Sequence, residues 1–177
     1  GIDEITPKGV RVGDTEYELD SIVFATGFDA MTGSLKAMDV RGRNGLTFAE
    51  HWDDGARTHM GLMSAGFPNL FIINAAGSPA PLFQPIILGQ EQVQWVGRLI
   101  SKLAERNINC IEPTSEAENN WGGLCEEALS ATLFPLTDSW YIGKNVPGKS
   151  HTGLAYFGGM ENYRQAMTDA EVSGYAD

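Results

Sequence analysis

The chain has 177 residues, 42% of them hydrophobic and 20% charged, which fits a globular protein of one domain or a pair of small ones. Lys and Arg number 12 against 23 Asp and Glu, a net charge of −11, so nucleic acid meets a repelling surface and no basic patch suits a membrane face. No run is long and apolar enough to span a bilayer, none reads as a signal peptide, and the two cysteines, Cys110 and Cys125, outside any C-x-x-C spacing, fit plain buried thiols in a reducing cytoplasm.

The chain starts at Gly1 rather than Met, and GIDEITPKGVRV opens on half of a β-hairpin, as a piece of a longer protein would. GVRVGDTEYEL (9–19) alternates around a Gly-Asp turn and predicts a hairpin. SIVFAT (21–26) is a continuous apolar run ending in Gly27, the pattern of a strand buried on both faces in a parallel sheet. Residues 27–45 read as loop, and LTFAEHW (46–52) as a short helix capped by Thr47. NLFIIN (69–74) predicts a second buried strand, followed by a loop with three prolines in AAGSPAPLFQP (75–85).

The longest helical signal is 85–107, where Ile86, Val93, Val96, Ile100 and Leu103 recur at helical spacing and Pro85 suits the first turn. Residues 115–134 predict another helix, with Ser115 and Glu118 spaced as a capping box and Gly122-Gly123 weakening it. The acidic stretches EAENN and CEEA read as solvated helix faces. Residues 137–159 are loop-rich, and 160–175 close with a helix stopped by Gly174. Apolar strands that end in Gly-containing loops, with helices between them, make an α/β layout. Ligands in such sheets lie beyond the carboxyl ends of strands, which singles out the loops 26–34 and 75–85.

Gly143, Gly148, Lys149 and Ser150 complete the pattern G-x-x-x-x-G-K-[ST]. A phosphate loop must leave a buried strand and enter a helix, so that N–H groups at the helix start hold the phosphates. SWYI before it is short, HTGLAYFGG after it is full of helix breakers, and Pro147 lacks an N–H, so the match is not read as a triphosphate site. His51, His59 and His151 share no metal-ligand spacing, no Ser/His/Asp order suggests a triad, and no metal is expected.

Four stretches taken together carry a resemblance: DSIVFATGFDAMTGSL (20–35), GFPNLFIINAAGSPAPLFQP (66–85), QEQVQWV (90–96) and DSWYIGKNVPGK (138–149). In this order and at these distances they resemble the carboxy-terminal portion of the Baeyer–Villiger monooxygenases, class B flavoproteins that use FAD and NADPH. GLAYFGGMENYRQAM looks like that family's final loop and helix. The resemblance implies an α/β fold that is part of a flavoprotein with FAD and NADP Rossmann-like domains, with buried parallel strands and C-terminal helices. It implies that residues 1–26 end the NADP-binding domain and cross over, and that 27–177 belong to the FAD-binding domain, with a loop at about 137–152 closing over NADP(H). The implied reaction inserts one atom of O2 beside a ketone carbonyl to give an ester or lactone, with the cofactors carrying the difficult chemistry.

By the same resemblance Ala25, Thr26, Gly27 and Asp29 bind cofactor where the chain passes between the two cofactor domains. Gly77, Ser78 and Gln84 flank the flavin, and Trp140, Asn145 and Lys149 belong to the cover over NADP(H). Pro79, Ala80, Pro81, Leu82, Phe83 and Pro85 line the substrate pocket. Two departures stand out: Gln84 where Asn is common, and Pro85 where Met is frequent, which removes an N–H from the flavin's edge. No G-x-G-x-x-G occurs, so both dinucleotide fingerprints and the family's catalytic arginine fall outside the chain, and the 177 residues alone are expected to be inactive, with the remainder of the same flavoprotein as their partner. Alternatives are another class B flavin monooxygenase, acting on sulfur or nitrogen, and a non-enzymatic acidic α/β module that binds a protein.

Overall fold

The computed structural model describes residues 1–27, 29–144, 146 and 148–175. The chain opens with a three-stranded antiparallel sheet in the order β1 (Glu4–Thr6), β2 (Gly9–Val12), β3 (Thr15–Glu18). Val10 sits opposite Ile5 on one side and Tyr17 on the other, and the turn falls at Gly13-Asp14 as the alternation predicts. β1 supplies the strand that the opening half-hairpin lacked.

The two buried parallel strands expected at 21–26 and 69–74 do not form among the described residues. A strand needs a ladder partner on at least one edge. Residues 21–27 have none: their backbone makes no hydrogen bond among the described residues, and Val23 and Phe24 are 87% and 69% exposed. Residues 69–74 are extended but make only isolated bonds, from Asn69 N to Ile111 O (2.8 Å), from Ile72 N to Leu62 O (2.8 Å) and from Asn74 N to the Gln92 side chain (2.8 Å). Their side chains still alternate, with Phe71 packed on one core and Leu70 and Ile72 on the other, the period of two of an extended segment.

The helices follow in order: α1 (Gly33–Ala37), α2 (Phe48–His51), α3 (Pro85–Glu105), α4 (Ser115–Ser130) and α5 (Met160–Val172). α2 starts at a reciprocal capping box, in which Thr47 accepts from Glu50 N and the Glu50 carboxylate accepts from Thr47 N. α4 is capped one residue earlier than expected, by Thr114, whose hydroxyl accepts from Ala117 N at 3.0 Å. Pro85 takes the first turn of α3, and the Gln84 side chain accepts from Ile86 N at 3.3 Å.

The main core gathers Leu88, Trp95 and Leu99 of α3, Trp121 and Cys125 of α4, Tyr163 and Met167 of α5, and Met60, Leu62 and Met63 of the intervening chain. A buried polar relay runs through it. Gln92 donates to Tyr163 Oη at 2.7 Å, and that hydroxyl donates to Met60 O at 2.8 Å. α3 and α5 are further joined by the Trp95 indole N–H to Met167 O (2.9 Å) and by Arg164–Glu91 and Arg98–Glu171 ion pairs. A second cluster, Phe48, Trp52 and Phe67, holds α2. Ile86, Val93 and Ile100, apolar positions that mark α3 in the sequence, face outward at 79%, 56% and 52% exposure. Gly97 stands among them with open space where a side chain would be.

Candidate functional site

The loop 75–85 is built from the inside outward. Ala75, Ala76, Ser78, Pro79 and Ala80 are buried. Ser78 uses both of its donors on the Ala75 carbonyl, Oγ at 2.7 Å and N–H at 3.1 Å, and its own carbonyl accepts from Tyr156 N at 3.0 Å. The polar groups of Ser78 are therefore turned into the loop. Gly77 accepts from the Trp121 indole N–H at 2.9 Å and donates to Leu154 O at 3.2 Å. Behind Ser78 the backbone at Gly61 passes so close that a Cβ would stand 2.3 Å from Ser78 N, and Gly61 has φ +62, so only glycine fits. Outside this pedestal lie the half-buried Pro81, the exposed Leu82, Gln84 and Pro85, and Phe83, which packs on the core under the Arg164 guanidinium. Pro85 has no N–H, and the N–H of Gln84 beside it has no acceptor among the described residues.

The segment 137–152 reaches this loop. Trp140–Ile142 forms a single 3-10 turn, capped by Ser139 and ended by Gly143 at φ +72. Trp140 is half-buried and stacks on Tyr141, ring centroids 4.1 Å apart. Tyr141 Oη donates to Pro81 O at 3.1 Å, and its ring meets Phe134 at 4.8 Å. Leu154 N donates to Tyr141 O at 2.9 Å, so the segment is tied back to the strip beside Gly77. The stretches around Gly77–Gln84 and Trp140 thus form one surface. Tyr141, which the sequence reading passed over for its neighbour, makes the connecting bond. The only signal for it was an aromatic with a hydroxyl next to Trp140.

Lys149 and Asp29, expected to meet a cofactor, meet each other: the ammonium donates to Asp29 Oδ1, and also to Ala30 O at 3.3 Å. Thr32 Oγ1 donates to the same carboxylate oxygen at 2.9 Å. Burial pushes the Asp29 carboxyl up, but the bonds from Lys149 and Thr32 outweigh it and hold it below its ordinary range. Ala25, Thr26 and Gly27 are exposed, and their backbone makes no hydrogen bond among the described residues. Asn145 lies outside the described residues, as does Pro147 of the Gly-x-x-x-x-Gly-Lys-Ser pattern. After Ser150 the chain runs without a helix to Met160.

Two expectations need correction. Glu118 is not on a solvated face. It is 3% exposed and accepts from Ser64 Oγ (2.8 Å) and Ala65 N (2.9 Å), with His51 Nε2 at 3.1 Å. The helix turns it inward because α4 packs against the 57–65 chain, whose donors need an acceptor. Cys110 is exposed, at 3.5 Å from the Arg43 guanidinium, whereas Cys125 is buried. Burial, with Glu126 nearby, pushes the Cys125 thiol up to about 12, which leaves it protonated and inert as a nucleophile. Among the described residues no three His, Cys, Asp or Glu side chains are placed to hold a metal ion, and no helix is long and apolar enough to cross a membrane.

No family model matches the chain. Among curated proteins it is 40% identical over 175 residues to a Baeyer–Villiger monooxygenase of Pseudooceanicola batsensis, covering 98% of this chain and 32% of that one. It is also 40% identical over 178 residues to the phenazine N-monooxygenase PhzNO1 of Lysobacter antibioticus, again 98% of this chain and 32% of the relative. Among solved structures, the cyclohexanone monooxygenase from Rhodococcus sp. Phi1 bound to NADP+ superposes with a TM-score of 0.91 at 40% identity, over 99% of this chain and 33% of that one. OTEMO in complex with FAD and NADP gives 0.90 at 32% identity, over 99% and 32%. The chain therefore spans about a third of the length of the curated relatives it matches.

Proposed function

Because nearly the whole chain is homologous to about a third of the Baeyer–Villiger monooxygenases, we propose that it works as the carboxy-terminal part of an FAD- and NADPH-dependent enzyme that converts a ketone and O2 into an ester or lactone. The observation that carries this reading is the bond from Tyr141 Oη to Pro81 O, which joins the tryptophan-bearing segment to the proline-rich loop. Residues 1–26 then end the NADP-binding domain, and 27–177 complete the FAD-binding domain, with 137–152 as the cover.

The residues present fit the two cofactors in kind. Gln84 offers an unused N–H at the rim of a rigid, pre-bonded loop, which suits an acceptor edge such as that of a flavin. Pro81, Leu82 and Phe83 give that rim apolar surface for the hydrocarbon part of a ketone. Trp140, held by its stack on Tyr141, supplies a flat face and one N–H donor to shield a nicotinamide from water. Ala25–Gly27 present exposed backbone, and Val23 and Phe24 present apolar side chains, as a segment does that is covered by the rest of a larger protein. When bound, NADPH would supply the hydride that reduces the flavin, and the reduced flavin would supply the reaction with O2; the chain's own groups would orient the rings and exclude water. Cofactor phosphates are held mainly outside residues 1–177, since nine of the 12 Lys and Arg side chains are already in ion pairs.

A second reading, N-oxidation, has one specific support, the equal identity to a phenazine N-monooxygenase. The full-length protein, purified yellow and supplied with NADPH, is offered a cyclic ketone, a sulfide and an N-heteroaromatic. Lactone formation supports the main reading. N-oxide or sulfoxide without lactone replaces it, and a colourless protein that takes up no FAD removes both in favour of a binding module.

A further inference from the structure

Resting on the reading of 137–152 as a cover, we propose that Lys149 and Asp29 are positioning residues that latch this cover to the 26–34 loop by binding each other, and that neither is a ligand of the dinucleotide. The pair spans 120 positions of sequence. Its side chains are largely withdrawn from solvent, at 13% exposure for Lys149 and 31% for Asp29. A lysine that recognises a phosphate keeps its ammonium free to approach it. Here the ammonium is directed into the protein, with one donor on Asp29 and another on the Ala30 carbonyl. Asp29 is fixed in turn by Thr32, itself only 3% exposed. Gly33 leaves the Asp29 side chain its space, since a Cβ at position 33 would stand 2.7 Å from Asp29 Cβ.

The path of the lysine stem shows what the latch holds. It runs across Gly143, where a Cβ would lie 3.3 and 3.4 Å from Lys149 Cδ and Cγ and 2.8 Å from Ser150 O. Gly143 ends the turn that carries Trp140. The stem therefore packs against one limb of the cover while its charge anchors the other limb to Asp29. With Tyr141 bonded to Pro81, the segment is held at two separate points, one on each of the two loops that flank the site. Lys36 is the other cation beside Asp29, but its ammonium donates to Trp52 O at 3.3 Å and not to the carboxylate.

The test uses the full-length protein with Lys149→Gln, Asp29→Asn, both together, and the exchanged pair Lys149→Asp with Asp29→Lys. The first measurement is cleavage of the cofactor-free protein by chymotrypsin after Trp140 and Tyr141. Either single change is expected to speed cleavage about tenfold, the double no more than either single, and the exchange to restore much of the protection. The second is the ratio of KM for NADPH to KM for NADH. A latch raises both together and leaves the ratio within about twofold, whereas a lysine bound to the 2′-phosphate loses the preference when it alone is changed. Cleavage unchanged in both singles, additive effects in the double, or a lost NADPH preference in Lys149→Gln with none in Asp29→Asn would each overturn the proposal. The cleavage arm needs no cofactor and no turnover, so it decides the latch even if the monooxygenase reading fails.

Discussion

At the scale of single residues the strongest constraint is Glu118. Three donors from two segments converge on a carboxylate that is almost fully buried. Burial pushes its pKa up, but the bonds from His51, Ala65 and Ser64 outweigh that and hold it below its ordinary value. A carboxyl depressed on folding stabilises the folded state fully above its unfolded pKa, and that contribution is lost as pH falls through the folded value. Glu118→Ala strands the buried Ala65 N–H and removes the partner of His51, and is expected to cost about 2–4 kcal/mol in urea unfolding at neutral pH. Glu118→Gln should cost less and should flatten the fall in stability as pH drops below the ordinary carboxylate range; an unchanged acid slope would show that the carboxylate does not contribute there. None of this was visible in SEAENN, where a glutamate between polar neighbours has no local sign of being turned inward. Thr47 was legible as a cap because capping is a local pattern, whereas the partners of Glu118 are 53 and more positions away.

At the scale of elements, α3 is the beam on which the main core rests. Trp95 contributes its indole to the core, its N–H to Met167 O, and an edge contact to Tyr175 at 5.4 Å. Trp95→Ala is expected to destabilise by about 3–5 kcal/mol, measured by urea unfolding, because it removes a large buried ring together with a buried polar tie to α5. The span of α3 was readable from its periodicity and from Pro85, and its observed ends, Pro85 and Glu105, lie within two residues of the expectation. Which side faces the core was not readable, because the helix is apolar on both: Leu88, Trp95 and Leu99 on one, Ile86, Val93 and Ile100 on the other. The expected strands at 21–26 and 69–74 fail for a related reason. Apolar runs announce burial, but a ladder needs partner backbone, and the chain's own described residues do not bring any alongside. The proline-rich loop and the tryptophan segment were legible as motifs, while the bond that joins them depends on Tyr141 and on packing no local pattern encodes.

At the scale of the whole molecule, the apolar side chains that the described chain presents to solvent include Val23-Phe24 and the outer row of α3. In the proposed full-length flavoprotein these are expected to be interior. Val93→Asp is expected there to lower the melting temperature by several degrees and to loosen bound flavin, since a buried unpaired carboxylate costs several kcal/mol. A melting temperature equal to that of the parent would mean that the row stays wet. Gly97, in the middle of the same row, can serve as a gauge of what lies against it. Glycine inside a helix costs about 1 kcal/mol relative to alanine, and nothing in the described chain requires it there. A single added methyl at this spot would strengthen a helix bordered by water and wedge apart one pressed against a neighbour, so the sign of the change in melting temperature on Gly97→Ala, expected to be a decrease in the intact enzyme, reads out the crowding at that position directly.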